Sequence, residues 1–170
     1  MTAPQAPRAN VVQQSLLVLL RVAIGWHFLW EGFVKITDKT WSAGPYLAAA
    51  QGPLAGFFHG LAQNPGALRA VNRANEWGLT LVGAGLILGL LTPIACAGAI
   101  ALLALYYLAS PPWIAMLPRV TEGNYLVVDK NLVELIAVAV VMAFGTGRMA
   151  GLDLLLHQWR SRRAVRAKAG

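Results

Sequence analysis

Residues 15–34 read Ser15-Leu16-Leu17-Val18-Leu19-Leu20-Arg21-Val22-Ala23-Ile24-Gly25-Trp26-His27-Phe28-Leu29-Trp30-Glu31-Gly32-Phe33-Val34. Twenty residues of α-helix rise about 30 Å, the thickness of a bilayer's hydrocarbon core. This block is long enough to span a membrane, yet it carries Arg21, His27 and Glu31. Ionised side chains cost several kcal/mol in hydrocarbon unless they are paired or wetted. The stretch therefore predicts a membrane span with work to do.

The rest of the chain has the same character. Hydrophobic residues make up 57% of the 170 and charged residues 12%, about half the charged share of a soluble domain. Mean hydropathy is +0.56. Three further apolar blocks run over about 77–91, 94–110 and 132–147. Thr92-Pro93 breaks the second from the third, and Pro111-Pro112 ends the third, because proline lacks the amide that a helix needs. The expected fold is an all-α, integral membrane four-helix bundle over 15–153. It is preceded by a polar arm (1–14) and followed by an amphipathic, basic tail (154–170). Residues 40–74, broken by Gln51-Gly52-Pro53 and Asn64-Pro65-Gly66, predict one or two short interfacial helices. A further short amphipathic helix is expected over 152–159.

Four spans place both termini on one side. That side holds Arg8, Arg148 and the tail cations Arg160, Arg162, Arg163, Arg166 and Lys168. The opposite loops hold Lys35, Lys39, Arg69, Arg73, Arg119 and Lys130. The totals are close, but the tail is denser, so the positive-inside rule puts both termini in the cytoplasm. The net charge of +7 then points to anionic lipid head groups rather than to nucleic acid. Cys96 is the single cysteine, which excludes an intrachain disulfide and CxxC redox chemistry. The histidines His27, His59 and His157 have no ligand spacing, so no metal site is expected, and no flavin.

Candidate chemistry gathers at the outer end. His27, Glu31 and Lys35 are spaced i, i+4, i+8 and share a helix face. Arg21 lies about 80° around from Glu31, where snorkelling to the cytoplasmic surface explains it. The fourth block opens with Asp129, Lys130, Asn131 and Glu134, and Asn131 is a candidate cap. Arg69, Arg73 and Glu76 precede the second block. Glu31, Glu134 and Lys35 are the candidate catalytic set. Arg69, Arg73, Lys130, Asn131, Trp30, Trp77, Tyr106 and Tyr107 are candidate substrate-binding residues. A structural ion-pair network with membrane-belt aromatics is the plainer reading of the same residues. Gly85-Leu86-Ile87-Leu88-Gly89 is a GxxxG, which permits close helix contact.

The pieces from Leu20 to Lys35, from Val82 to Thr92, Lys130-Asn131-Leu132-Val133-Glu134, and Gly147-Arg148-Met149-Ala150-Gly151-Leu152-Asp153 resemble the DoxX/DoxD family over roughly residues 15–153. The likeness is closer to the DoxD branch, the membrane subunit of thiosulfate:quinone oxidoreductase. The resemblance implies a multi-pass protein of a prokaryotic plasma (inner) membrane. It also implies a redox role passing electrons from thiosulfate, or a similar outside donor, to membrane quinone as substrate. The partners implied are the lipid bilayer and a second, DoxA-type redox subunit, with a homo-oligomer as another arrangement. Two alternatives stay open: a non-catalytic anchor or assembly partner of a respiratory complex, and a small-solute or proton-coupled transporter.

Overall fold

The structure, a computed structural model, describes residues 10–114 and 124–169. Residues 1–9 of the expected 1–14 arm, Arg119, and the side chains of the tail cations Arg163, Arg166 and Lys168 lie outside the described residues. Residues 11–14, expected in the arm, instead form the start of the first helix, which Asn10 caps.

Among the described residues, seven α-helices carry the fold: α1 (Val11–Thr37), α2 (Gly44–Ala48), α3 (Ala55–Gln63), α4 (Pro65–Leu88), α5 (Thr92–Ala109), α6 (Lys130–Ala143) and α7 (Leu152–Ala169). A 3-10 turn (Thr146–Arg148) follows α6. The only strands among the described residues, Asn124–Tyr125 and Val128–Asp129, form a two-residue antiparallel hairpin. Helices α1, α4, α5 and α6 pack in cyclic order around one apolar core. Ile24 and Phe28 meet Leu79 and Leu86, Cys96, Ala99 and Leu103, and Val138 and Val141 there. A smaller cluster, centred on Leu47 and Phe58, seats α2 and α3 beside α4.

Among the described residues, two helices are long and apolar enough to cross a membrane: α1 and α5. The outer faces of all four packed helices are apolar too. Leu16, Leu19, Trp26, Leu81, Ile94, Val133 and Ile136 are each more than half exposed. An apolar surface of that extent marks a membrane or protein contact.

Several boundaries differ from those expected. α4 starts at Pro65, twelve residues before Trp77, so 65–74 belong to a long helix rather than to an interfacial segment. Asn64 caps it through the amides of Gly66 and Ala67, and proline is tolerated at the first helical position. α7 runs for 18 residues, well past 159. The cap of α6 is Asp129, whose Oδ1 accepts from the Leu132 amide at 2.8 Å, and not Asn131. Asn131 donates to the other Asp129 oxygen at 2.9 Å.

The close helix contact is not at the GxxxG either. A Cβ on Gly83 of α4 would collide with the Leu29 backbone of α1, and one on Gly25 would lie 3.0 Å from the Gly83 carbonyl. Gly83 against Gly25, with Gly32 against Thr80 two turns further along α1, are therefore the tight contacts of α1 and α4. Gly89 instead ends α4 in the left-handed region at φ 62°, a conformation that favours glycine.

Arg21 is the largest departure. It does not snorkel: it is 2% exposed. One guanidinium nitrogen, Nη1, donates to Thr146 O at 2.9 Å and to Ala150 O at 2.7 Å. The nearby Asp153 accepts from the Leu91 amide at 2.8 Å and the Thr92 amide at 2.9 Å. It thereby satisfies amides at the start of α5 that a helix leaves without partners. Asp153 N also donates to Gly89 O at 2.8 Å. One end of the bundle is thus locked by Arg21 and Asp153.

Burial alone would push the Asp153 carboxyl up. The Thr92 and Leu91 amides, with the Arg21 guanidinium, outweigh it and hold the group below its ordinary value. A depressed carboxylate contributes stability above its unfolded value, about 3.9, and loses it as pH falls through the lower folded value. The thermal midpoint of the wild type should stay level from neutral pH to roughly pH 5 and fall below roughly pH 4. Asp153→Asn should start lower and lack that component of the acid loss. A gap between the two proteins that is as wide at low pH as at neutral pH would contradict this account.

Candidate functional site

The opposite end of the bundle is open. The last turns of α1, the middle of α4, the end of α5 and the start of α6 enclose a cavity of about 550 Å³, within the range of ligand sites.

On α1, the i, i+4, i+8 spacing places His27, Glu31 and Lys35 on the cavity wall. Lys35 Nζ is hydrogen-bonded and ion-paired to Glu31 Oε2. It also lies 5.6 Å from the centroid of the Trp41 ring, within cation–π range. His27 Nδ1 is 2.7 Å from Glu134 Oε1 on α6. An ionised carboxylate only accepts, so Nδ1–H is the donor to it, and Nε2 is left as an acceptor when the ring is neutral. Glu134 is more enclosed than its partner, with side-chain exposure of 16% against 49% for His27.

The far wall is a phenol and amide network. Tyr46 Oη donates to the Tyr106 carbonyl at 3.0 Å, and the two rings meet edge to face at 6.3 Å. Burial and the Asp129 carboxylate push the Tyr46 phenol above its ordinary value. Asn75 Nδ2 donates to Tyr106 Oη at 2.7 Å, while its Oδ1 is buried with no hydrogen-bond partner. Whichever way the amide is turned, one of its ends meets Tyr106 and the other is unpaired. A buried polar atom left in that state costs about 1–3 kcal/mol, so this amide is suited to a ligand that supplies the missing bond.

Of the eleven candidate catalytic and substrate-binding residues, five line this cavity: Glu31, Lys35, Tyr106, Lys130 and Asn131, beside His27 and Asp129. Glu134 joins through His27. The others lie elsewhere. Trp30 is 53% exposed and stacks between Trp26 and Phe33 on the outer face of α1. Trp77 is half exposed on α4. Arg69 and Arg73 are exposed, and Arg73 Nη1 lies 3.4 Å from Glu76 Oε2. Tyr107 is about 100° around the helix from Tyr106. It donates instead to Val127 O at 2.8 Å, bracing the hairpin. The aromatic walls are Phe28, Trp41, Tyr46 and Tyr106.

The pairing of His27 with Glu134 joins residues 107 apart, and no local spacing could reveal it. Asn75, by contrast, precedes Glu76 and could have been found as a polar residue one turn before the apolar run of α4. Among the described residues, no group of three or more His, Cys, Asp or Glu side chains could hold a metal ion.

No family model, curated protein or solved structure matches this chain.

Proposed function

We propose that the chain is a four-span, DoxX/DoxD-like membrane protein of a prokaryotic inner membrane whose cavity binds the head group of a membrane quinone. In this reading it serves as a redox subunit fed by thiosulfate or a similar donor. The observation that carries the reading is the composition of the walls of this cavity. Two acid–base pairs, His27–Glu134 and Glu31–Lys35, face a Tyr106–Asn75 network with a spare hydrogen-bonding atom. All of this sits inside a bundle whose outside is apolar.

A quinone needs flat apolar walls, hydrogen-bond partners at its two carbonyls, and a route for two protons. Trp41, Tyr46, Phe28 and Tyr106 supply walls. Asn75 supplies a bond to one oxygen, and His27–Glu134 supplies a proton relay to the other. Oxidation of two thiosulfates to tetrathionate releases two electrons, and the quinone takes these with two protons to become quinol. Lys35 and Lys130 at the cavity, with Arg69 and Arg73 along α4, give a cationic approach that raises the local concentration of an anionic donor. Helices α4 and α6 complete the four spans. α6 rises only about 21 Å, and the hairpin and the 3-10 turn lengthen it at its ends.

The test uses the purified full chain in lipid nanodiscs. Decyl-ubiquinone should quench tryptophan fluorescence saturably, because Trp41 lines the cavity, and thiosulfate should drive its reduction. The absence of both quenching and reduction would overturn the reading. Binding with turnover only after a second subunit is supplied would favour a DoxA-type partner. Binding without any turnover would favour the non-catalytic anchor, for which the exposed Trp26–Trp30–Phe33 strip of α1 offers a docking face.

A further inference from the structure

A second cavity of about 550 Å³ lies at the Arg21–Asp153 end, between the α4–α5 turn, the end of α6 and the first two turns of α7. Its chemistry is unlike that of the first. Three basic side chains line it: Arg148, His157 and Arg160. Asp153 is its single acid, and both of its carboxylate oxygens already accept backbone amides. Neither Arg148 nor Arg160 forms a salt bridge among the described residues.

The helix pattern accounts for the convergence. Asp153, Leu156, His157 and Arg160 sit at i, i+3, i+4 and i+7 of α7 and so share the face turned to the cleft. The remaining lining is apolar and exposed: Leu91, Ile94 and Met142 are 56%, 68% and 43% exposed. Ile94 begins the outer face of α5, and Met142 ends that of α6. A cationic cradle thus opens directly onto an apolar strip that runs toward the bilayer.

We infer that this cleft is a binding site for an anionic phospholipid. The phosphodiester is held by Arg148, Arg160 and His157, and the acyl chains lie along Ile94 and Met142. Charge complementarity selects the anionic head group, and the adjoining exposed apolar side chains select a lipid over a soluble anion. A soluble phosphate would leave Leu91, Ile94 and Met142 in contact with water. The inference rests on the membrane placement of the bundle. It is independent of the quinone reading, whose cavity is at the other end.

The experiment is native mass spectrometry of the full chain in mild detergent, titrated with dioleoylphosphatidylglycerol or dioleoylphosphatidylcholine. Each basic side chain near an anionic surface contributes about fivefold in affinity. The wild type should prefer the anionic lipid by at least about tenfold. Arg148→Gln with Arg160→Gln should remove most of that preference while the thermal midpoint in detergent holds. The tail variant Arg163→Gln with Arg166→Gln serves as the control for unspecific attraction and should keep the preference. Millimolar inorganic phosphate should fail to displace the lipid. Equal binding of the two lipids by the wild type, an unchanged preference in the first variant, an equal loss in the tail variant, or displacement by phosphate would each overturn the inference.

Discussion

Replacing Arg21 by alanine is expected to lower the unfolding free energy by about 3 kcal/mol. The side chain is almost wholly enclosed, so its cation is stable there only because of what it binds. Its Nη1 atom serves two carbonyls, Thr146 O and Ala150 O, in the turn that leads from α6 to α7. A hydrogen bond from a charged donor contributes about 1.5–3 kcal/mol. Thr146 O would keep the Met149 and Ala150 amides, while Ala150 O would lose the guanidinium and carry a desolvation cost as well. The same nitrogen lies 3.0 Å from where a Cβ on Gly89 would be. Truncation therefore also empties space at the α4–α5 turn, which adds a cavity cost.

Arg21→Lys should recover part of the loss. It keeps the charge and can donate to one carbonyl, but its ammonium lacks the reach and the planar fork of a guanidinium. Unfolding by heat or by denaturing detergent in a mild-detergent background measures both variants. An Arg21→Ala protein as stable as the wild type would mean that the side chain is a surface anchor after all, as position alone suggests.

That contrast shows where reading the sequence stops. Residues 15–34 announce a long apolar helix, and Val11–Thr37 is one. The apolar block at 94–110 is likewise α5, Thr92–Ala109. Hydropathy locates such segments because it averages over many side chains. It misplaces the start of α4 for the same reason. Arg69, Arg73 and Glu76 depress the average, while the signal that begins the helix is a single capping residue, Asn64, followed by Pro65. Asn64-Pro65-Gly66 looks like a chain breaker, and in the fold it is a helix start.

The site divides along the same line. Glu31 with Lys35 is a local i, i+4 pair and was legible. His27 with Glu134, Tyr46 with Tyr106, and Asn75 with Tyr106 depend on how the helices are rotated about their axes. Between α1 and α4 the packing is fixed by close backbone approach at Gly25–Gly83 and at Gly32–Thr80, contacts between helices that a GxxxG within one helix cannot indicate. Tyr106 and Tyr107 differ by one position, and only the packing decides which one faces the cavity.

The second large effect concerns that rotation-dependent pair. Under the proposed quinone chemistry, Glu134→Gln should lower kcat for decyl-ubiquinone reduction by about 10²–10³ while changing KM little, because a positioned acid–base group contributes about 10²–10⁴. Glutamine keeps the volume of the side chain and can still accept from His27 Nδ1–H. What it removes is the negative charge that stabilises a protonated imidazole, so the relay loses its driving force without losing its shape. His27→Gln should cost a similar factor. The double variant should be little worse than either single one, since groups acting as a unit are far from additive. Glu31→Gln should behave differently. It frees Lys35 from its partner at the cavity wall, an effect on donor approach that appears in the KM for thiosulfate more than in kcat. Steady-state rates over the two substrates, with each variant's thermal midpoint as the folding control, separate these outcomes. Full kcat in both Glu134→Gln and His27→Gln would remove the relay from the mechanism. If Glu31→Gln alone then abolished turnover, the chemistry would move to the Glu31–Lys35 pair, one helical turn further along α1.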